Sequence, residues 1–166
     1  AENFDAFFFL GDFIYEKNAP GVREHDSPEP VDLAGYRARY AQYRRDPDLQ
    51  ANFASCPWVM TWDDHEVVND YGGLETPAGA LAGFPARRAA AYRAYAEWTP
   101  IRPALADDSS LFLHRAFTVG QLLDVSVLDT RQYRSRLVCG GRSGAACPDR
   151  GRGDDSLLGV SQRDWL

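Results

Sequence analysis

Hydrophobic positions in this chain follow two periods. Mostly apolar runs of strand length lie at residues 5–10, centred on Phe7-Phe8-Phe9-Leu10, and at residues 58–62, Trp58-Val59-Met60-Thr61-Trp62. Both read as strands buried on two faces, as internal parallel strands are. Between them the period becomes helical. Leu33, Tyr36, Tyr40 and Tyr43 share one face from residue 31 onward, and Arg37, Arg39, Arg44 and Arg45 are read as the solvated side. Asp32 suits the N-cap. A second short helix starts at Asp46-Pro47, with the proline at its first position, and runs to about residue 55. Strand, helices, strand predicts a βαβ crossover and hence a parallel pair. Residues 85–99 predict a further helix with a broad apolar surface, stopped by Pro100 and Pro103. Residues 111–119 and 122–128 predict a hairpin across the two-residue connection Gly120-Gln121. Ser161 is placed to cap a final helix, and residues 17–30, 69–83 and most of 129–159 read as loops.

The crossover decides where the chemistry falls. Each strand is followed by acids, Gly11-Asp12-Phe13-Ile14-Tyr15-Glu16 after the first and Asp63-Asp64-His65-Glu66 after the second. Parallel strands place both stretches at one end of the sheet, where ligands of open α/β sheets bind. Carboxylates and an imidazole converging there suit a metal centre with a bridging carboxylate. Asp12 is the bridging candidate, Tyr15 can turn back as a phenolate ligand for a ferric ion, Asp64 can ligate a second cation, and His65 can protonate a leaving oxygen. Each residue alone has a plainer role: a turn cap for Asp12, a packed aromatic for Tyr15, a structural imidazole for His65. The adjacent pair Asp63-Asp64 resists such a role, because neighbouring carboxylates repel. Glu66 is read as orienting a neighbour and Asp63 as facing away from Asp64. Arg131 and Arg134 follow the hairpin and can bind phosphate bidentately, with a salt bridge to Asp129 as the competing role. His25 and His114 have no cluster around them in the sequence.

Composition narrows the partners. The chain has 166 residues, 45% of them hydrophobic, enough for one domain with a core. Its net charge of −6 argues against nucleic acid as main partner and requires cations at any phosphate site. No apolar run reaches the roughly 20 residues of a membrane span. The chain opens almost directly into a strand without Met and stops in what looks like the first turn of a helix, which reads as a piece of a longer protein. Cys139 and Cys147 bracket a glycine-rich loop and suit either a disulfide or two free thiols, while Cys56 reads as a buried structural thiol.

Four blocks in order carry a resemblance: Leu10-Gly11-Asp12-Phe13-Ile14-Tyr15-Glu16, Tyr36-Arg37-x-Arg39-Tyr40, Thr61-Trp62-Asp63-Asp64-His65-Glu66 and Leu128-Asp129-Thr130-Arg131-Gln132-Tyr133-Arg134, with Leu158-Gly159-x-x-Gln162-x-x-Trp165-Leu166 at the end. Together they resemble the PhoD-type alkaline phosphatases of the calcineurin-like metallophosphoesterases over nearly the whole chain. The Gly-Asp-x-x-Tyr-Glu and Trp-Asp-Asp-His-Glu blocks are the specific ones. The resemblance implies an α/β fold, here a partial metallophosphoesterase-type sandwich whose single domain, residues 1–166, is the central part of a longer one. It implies hydrolysis of small-molecule phosphate mono- and diesters at an Fe3+ and Ca2+ centre, and a secreted or cell-envelope location. Asp12 would bridge the metals, Tyr15 would hold the ferric ion, and Asp64-His65 would match the superfamily's Asn-His pair as ligand and general acid. Arg131 would bind substrate. A cysteine-bearing segment upstream and a Gly-Asp-x-His segment downstream are missing from this chain, so it would lack part of the metal shell. The alternatives are a nuclease or phospholipase of the same superfamily, and a non-catalytic binding module on the same fold.

Overall fold

In the computed structural model, residues 4–18, 24–102, 105–107, 109–135, 138–141 and 155–166 are described. Strand β1 (Phe7–Phe9) pairs in parallel with β2 (Trp58–Met60), Phe8 lying opposite Val59. The ladder extends past both ends, through Phe7 N–H to the Pro57 carbonyl at 2.9 Å and Thr61 N–H to the Phe9 carbonyl at 3.1 Å. The crossover holds α1 (Leu33–Arg44) and α2 (Pro47–Ser55). Asp32 caps α1 by accepting from Gly35 N–H at 2.8 Å, and Asp46 caps α2 by accepting from Asp48 and Leu49 N–H. The expected parallel crossover is therefore present, with the Asp32 cap where the sequence puts it and Pro47 at the first position of α2.

Helix α3 (Phe84–Trp98) packs against α1 and buries Ala91, Tyr92, Ala94 and Tyr95. Aromatic rings make up most of the core. Trp62 stacks on Tyr92 with centroids 4.3 Å apart, and Phe13 lies against Phe9, Tyr40 and Phe53. Burial of this much ring area is the main stabilising term. The Tyr36 hydroxyl donates to the Val67 carbonyl at 2.5 Å and accepts from Arg87 Nε at 2.9 Å, tying α1, the turn after β2 and α3 together.

Beyond α3, β3 (Leu105–Asp107) pairs antiparallel with β4 (Ser110–Leu111), and β5 (Arg115–Val119) with β6 (Leu123–Val127). A short 3-10 turn (Val138–Gly141) and α4 (Gly159–Trp165) follow. No helix among the described residues is long and apolar enough to cross a membrane.

Several expectations are corrected. Arg39 is fully buried between Tyr36 and Tyr40, because its guanidinium is needed by carbonyls of the neighbouring loop. Strand β1 is not covered on both faces: Phe8, which points away from Phe7 and Phe9, is 44% exposed, and Leu10 just past the strand is 77% exposed. The hairpin connection has three residues rather than two, because Val119 pairs with Leu123. Residues 112–114 lie outside the hairpin, and Leu111 joins β4 instead. Ser161 does not cap α4, which begins two residues earlier with Ser156 Oγ accepting from Gly159 N–H at 2.9 Å. Cys56 is a free, half-buried thiol at the end of α2. Cys139 takes part in a disulfide bond, and Cys147 lies outside the described residues.

Candidate functional site

The turn after β1 is built on backbone that few residues adopt. Gly11 has φ of +121°, and a Cβ there would sit 2.6 Å from both Asp63 N and Asp63 Cβ. Only glycine lets the two rim loops approach this closely. Asp12, next in the chain, is itself left-handed with φ of +56°. A non-glycine residue held there signals a position fixed by its surroundings.

Glu66 is what fixes it. Buried beneath the rim, its carboxylate accepts from Asp12 N–H at 3.2 Å, from Phe13 N–H, and from Asp63 N–H at 2.8 Å. One side chain thus clamps both loops, which is the orienting role read from the sequence. Burial pushes the Glu66 carboxyl up to about 7, against the lowering effect of the N–H groups.

With the loops locked, carboxylate oxygens of Asp12, Asp63 and Asp64 lie within 4.8 Å of one another. Asp63 therefore faces the cluster, contrary to the expectation that it faces away. Burial holds the Asp12 carboxyl above its usual range, and the charges of Asp64 and Asp63 add to that, while His65 opposes it. Three hard oxygen donors at this spacing, strained by mutual repulsion, fit a hard cation. Asp64 is also set from behind: its Oδ2 accepts from Asp70 N–H at 2.5 Å, and its carbonyl accepts from Val67 and Val68 N–H.

Tyr15 turns back as the sequence suggests, its hydroxyl 3.4 Å from Asp12 Oδ2 and its ring 4.2 Å from the His65 ring. His65 Nδ1 meets Glu16 Oε2 at 2.7 Å, and Glu16 Oε1 accepts from Asn69 N–H at 2.9 Å. Burial alone would lower the His65 pKa. The hydrogen bond and charge of Glu16, with the charges of Asp64 and Asp12, outweigh it and raise the value. Glu16 was not singled out by its sequence; the one hint was its place at the end of the Gly-Asp-x-x-Tyr-Glu block.

The loop after β6 completes the rim. Arg131 Nε reaches Asp63 Oδ1 at 2.5 Å and its Nη2 reaches Asp64 Oδ1 at 3.0 Å. Asp129, the salt-bridge partner expected for Arg131, instead caps its own turn by accepting from Arg131 and Gln132 N–H, both at 2.9 Å. His114 lies apart among Phe112, Tyr133 and Trp165, and His25 contacts Arg39 and Tyr43.

A family model described as PhoD-like phosphatase matches residues 1–166. Alkaline phosphatase D of Bacillus subtilis (strain 168) is 41% identical over 174 residues, covering 99% of this chain and 30% of that protein. A solved structure described as that of PhoD matches with a TM-score of 0.91 and 40% identity, over 99% of this chain and 33% of its own. The chain thus spans about a third of the length of the relatives it matches. With the family model covering every residue and the fold shared at that level of identity, the chain belongs to the PhoD-like phosphatase family.

Proposed function

We propose that the full-length protein carrying this chain hydrolyses small-molecule phosphate esters at a metal centre, and that this chain supplies one wall of it. The observation that carries the reading is the convergence of Asp12, Asp63 and Asp64 oxygens within 4.8 Å, beside an imidazole held by a carboxylate. Asp12 and Asp64 would hold the cations, with Asp12 between them, and Tyr15 would offer its phenolate to a ferric ion alongside calcium. Cations bound there would supply Lewis acidity, polarising the phosphoryl group and making water nucleophilic near neutral pH.

The chain's own residues have separate tasks. Glu16 accepts the Nδ1 proton of His65, which leaves Nε2 as the nitrogen that exchanges a proton with substrate. With Nδ1 held by the Glu16 carboxylate, His65 serves as general acid toward the leaving oxygen through Nε2. Arg131 already holds Asp63 and Asp64 and donates to the Tyr71 carbonyl at 3.2 Å, and its remaining guanidinium protons face substrate phosphate in this reading. Gly11 and Glu66 keep the two loops in contact and touch no substrate.

The chain is, in the same proposal, the central part of a longer single domain, whose other segments complete the metal shell and cover the free side of β1. Its place in an exported or cell-envelope protein follows from the family and is likewise part of the proposal. The test is hydrolysis of an aryl phosphate ester by the full-length protein, before and after chelation. Loss on chelation, recovered by added iron and calcium, is expected, together with a visible phenolate-to-iron band that Tyr15→Phe removes. An unchanged rate under chelation would sink the reading.

A further inference from the structure

We infer that Arg39 is a positioning residue for this site, its buried guanidinium fixing the backbone of Tyr15 and Glu16 and through them the Tyr15 phenol and the His65 imidazole. The inference rests on the hydrolytic reading above. Arg39 is wholly buried on α1, yet among the described residues it forms no ion pair with a carboxylate. Its contacts are four backbone carbonyls, the His25 ring Nδ1 and, at 3.5 Å, Ser27 Oγ. Nη1 donates to Tyr15 O at 2.5 Å and Glu16 O at 2.9 Å, while Nη2 donates to Ser27 O at 2.9 Å and Pro28 O at 3.1 Å. Burying a charge costs free energy, and the acceptors around Nη1 and Nη2 offset it, while Nε meets no partner among the described residues.

Two consecutive carbonyls held by one nitrogen fix the peptide unit between Tyr15 and Glu16. From the other side, Tyr15 N–H donates to the Tyr43 hydroxyl at 3.2 Å, also on α1. Helix α1 therefore sets the register of this dipeptide. Its two side chains are the ones that meet the site: the Tyr15 hydroxyl approaches Asp12, and Glu16 holds His65 Nδ1. A surface loop with no such duty would not need a buried cation spanning residues 15–16 and 27–28.

The planar fork of arginine is required, since it alone addresses two pairs of carbonyls at once. A lysine ammonium keeps the charge but presents a single point. Arg39→Lys thus separates charge from geometry, and Arg39→Met removes both. In full-length protein labelled with 15N-histidine and freed of metal, wild type should show a hydrogen-bonded His65 Nδ1 proton. Folded Arg39→Lys should lose that resonance, and the metal-loaded variant should lose about 10- to 100-fold in kcat with KM little changed. A folded variant with the wild-type resonance, or with the wild-type kcat, overturns the inference. So does failure of both variants to fold, which would assign Arg39 to the fold alone. A wild type that hydrolyses no phosphate ester defeats the hydrolytic reading instead, and the His65 resonance then still decides the role of Arg39.

Discussion

Gly11 and Asp12 show how much of the site depends on a single backbone turn. Gly11→Ala would place a methyl group 2.6 Å from Asp63 N at a φ of +121°, and neither the parallel ladder nor the Glu66 clamp can give way. The expected cost is roughly 2–4 kcal/mol from strain plus overpacking, read as a shift in the urea midpoint. His114 makes a second prediction at this scale. Burial lowers its pKa, with Asp129 opposing, so it stays neutral in the fold at pH values where the unfolded chain binds a proton. Its contribution is present above about pH 6.5 and is lost as pH falls through the depressed folded value. Between pH 7 and 5 the raised values of Glu66 and His65 act in the opposite sense, so the His114 part is read as a difference: His114→Phe, keeping the packing with Trp165, should gain thermal stability relative to wild type as the pH is lowered. Residue types after the two apolar strands singled out Asp12, Tyr15, Asp64 and His65 as candidates, each with a plainer role when taken alone, and the fold brings the four to one rim. Glu66 was recognised as an orienting group without its partners, which are backbone N–H groups that carry no letter in a sequence.

Among the elements, the crossover was legible because its strands, caps and helical period agree with one another. Asp32 caps where expected, α2 starts at Pro47 as read, and the strands pair in parallel. The arginine side of α1 is not legible in the sequence, since a 3.6-residue period assigns Arg39 to water and carries no sign of the Tyr15, Glu16, Ser27 and Pro28 carbonyls that meet it. Nor could period reveal how α4 is attached. The Gln162 side chain mimics a backbone pair, accepting from Asp129 N–H and donating to the Asp129 carbonyl, both at 2.7 Å. That pins the start of the Arg131 loop to a helix 30 residues on. Gln162→Leu leaves both groups buried without a partner, at about 1–3 kcal/mol each. Thermal unfolding of this variant should fall well below that of Asp32→Ala, whose lost cap costs only about 1 kcal/mol.

Over the whole molecule, three strand-end loops from distant parts of the sequence meet at one rim, and two of them are locked by Glu66. The side of β1 and β2 facing β6 carries a cavity of about 400 Å3 lined by residues such as Phe9, Met60 and Val127. Three carboxylates converge at the rim, where Arg131 offsets Asp63 and Asp64, and a cation bound there would offset the charge that remains. Binding to the native state alone adds RT ln(1 + [L]/Kd), about 2.7 kcal/mol at a hundredfold excess over Kd. Chelation should therefore lower the melting temperature of the full-length protein, and Asp12→Asn should remove most of that difference. The most direct measurement is the metal content of purified, reconstituted full-length protein, compared between wild type and Asp12→Asn by elemental analysis. The account predicts tightly held metal in wild type and its loss, with phosphate ester hydrolysis, in the folded variant. Equal metal and equal activity in the two proteins would contradict it.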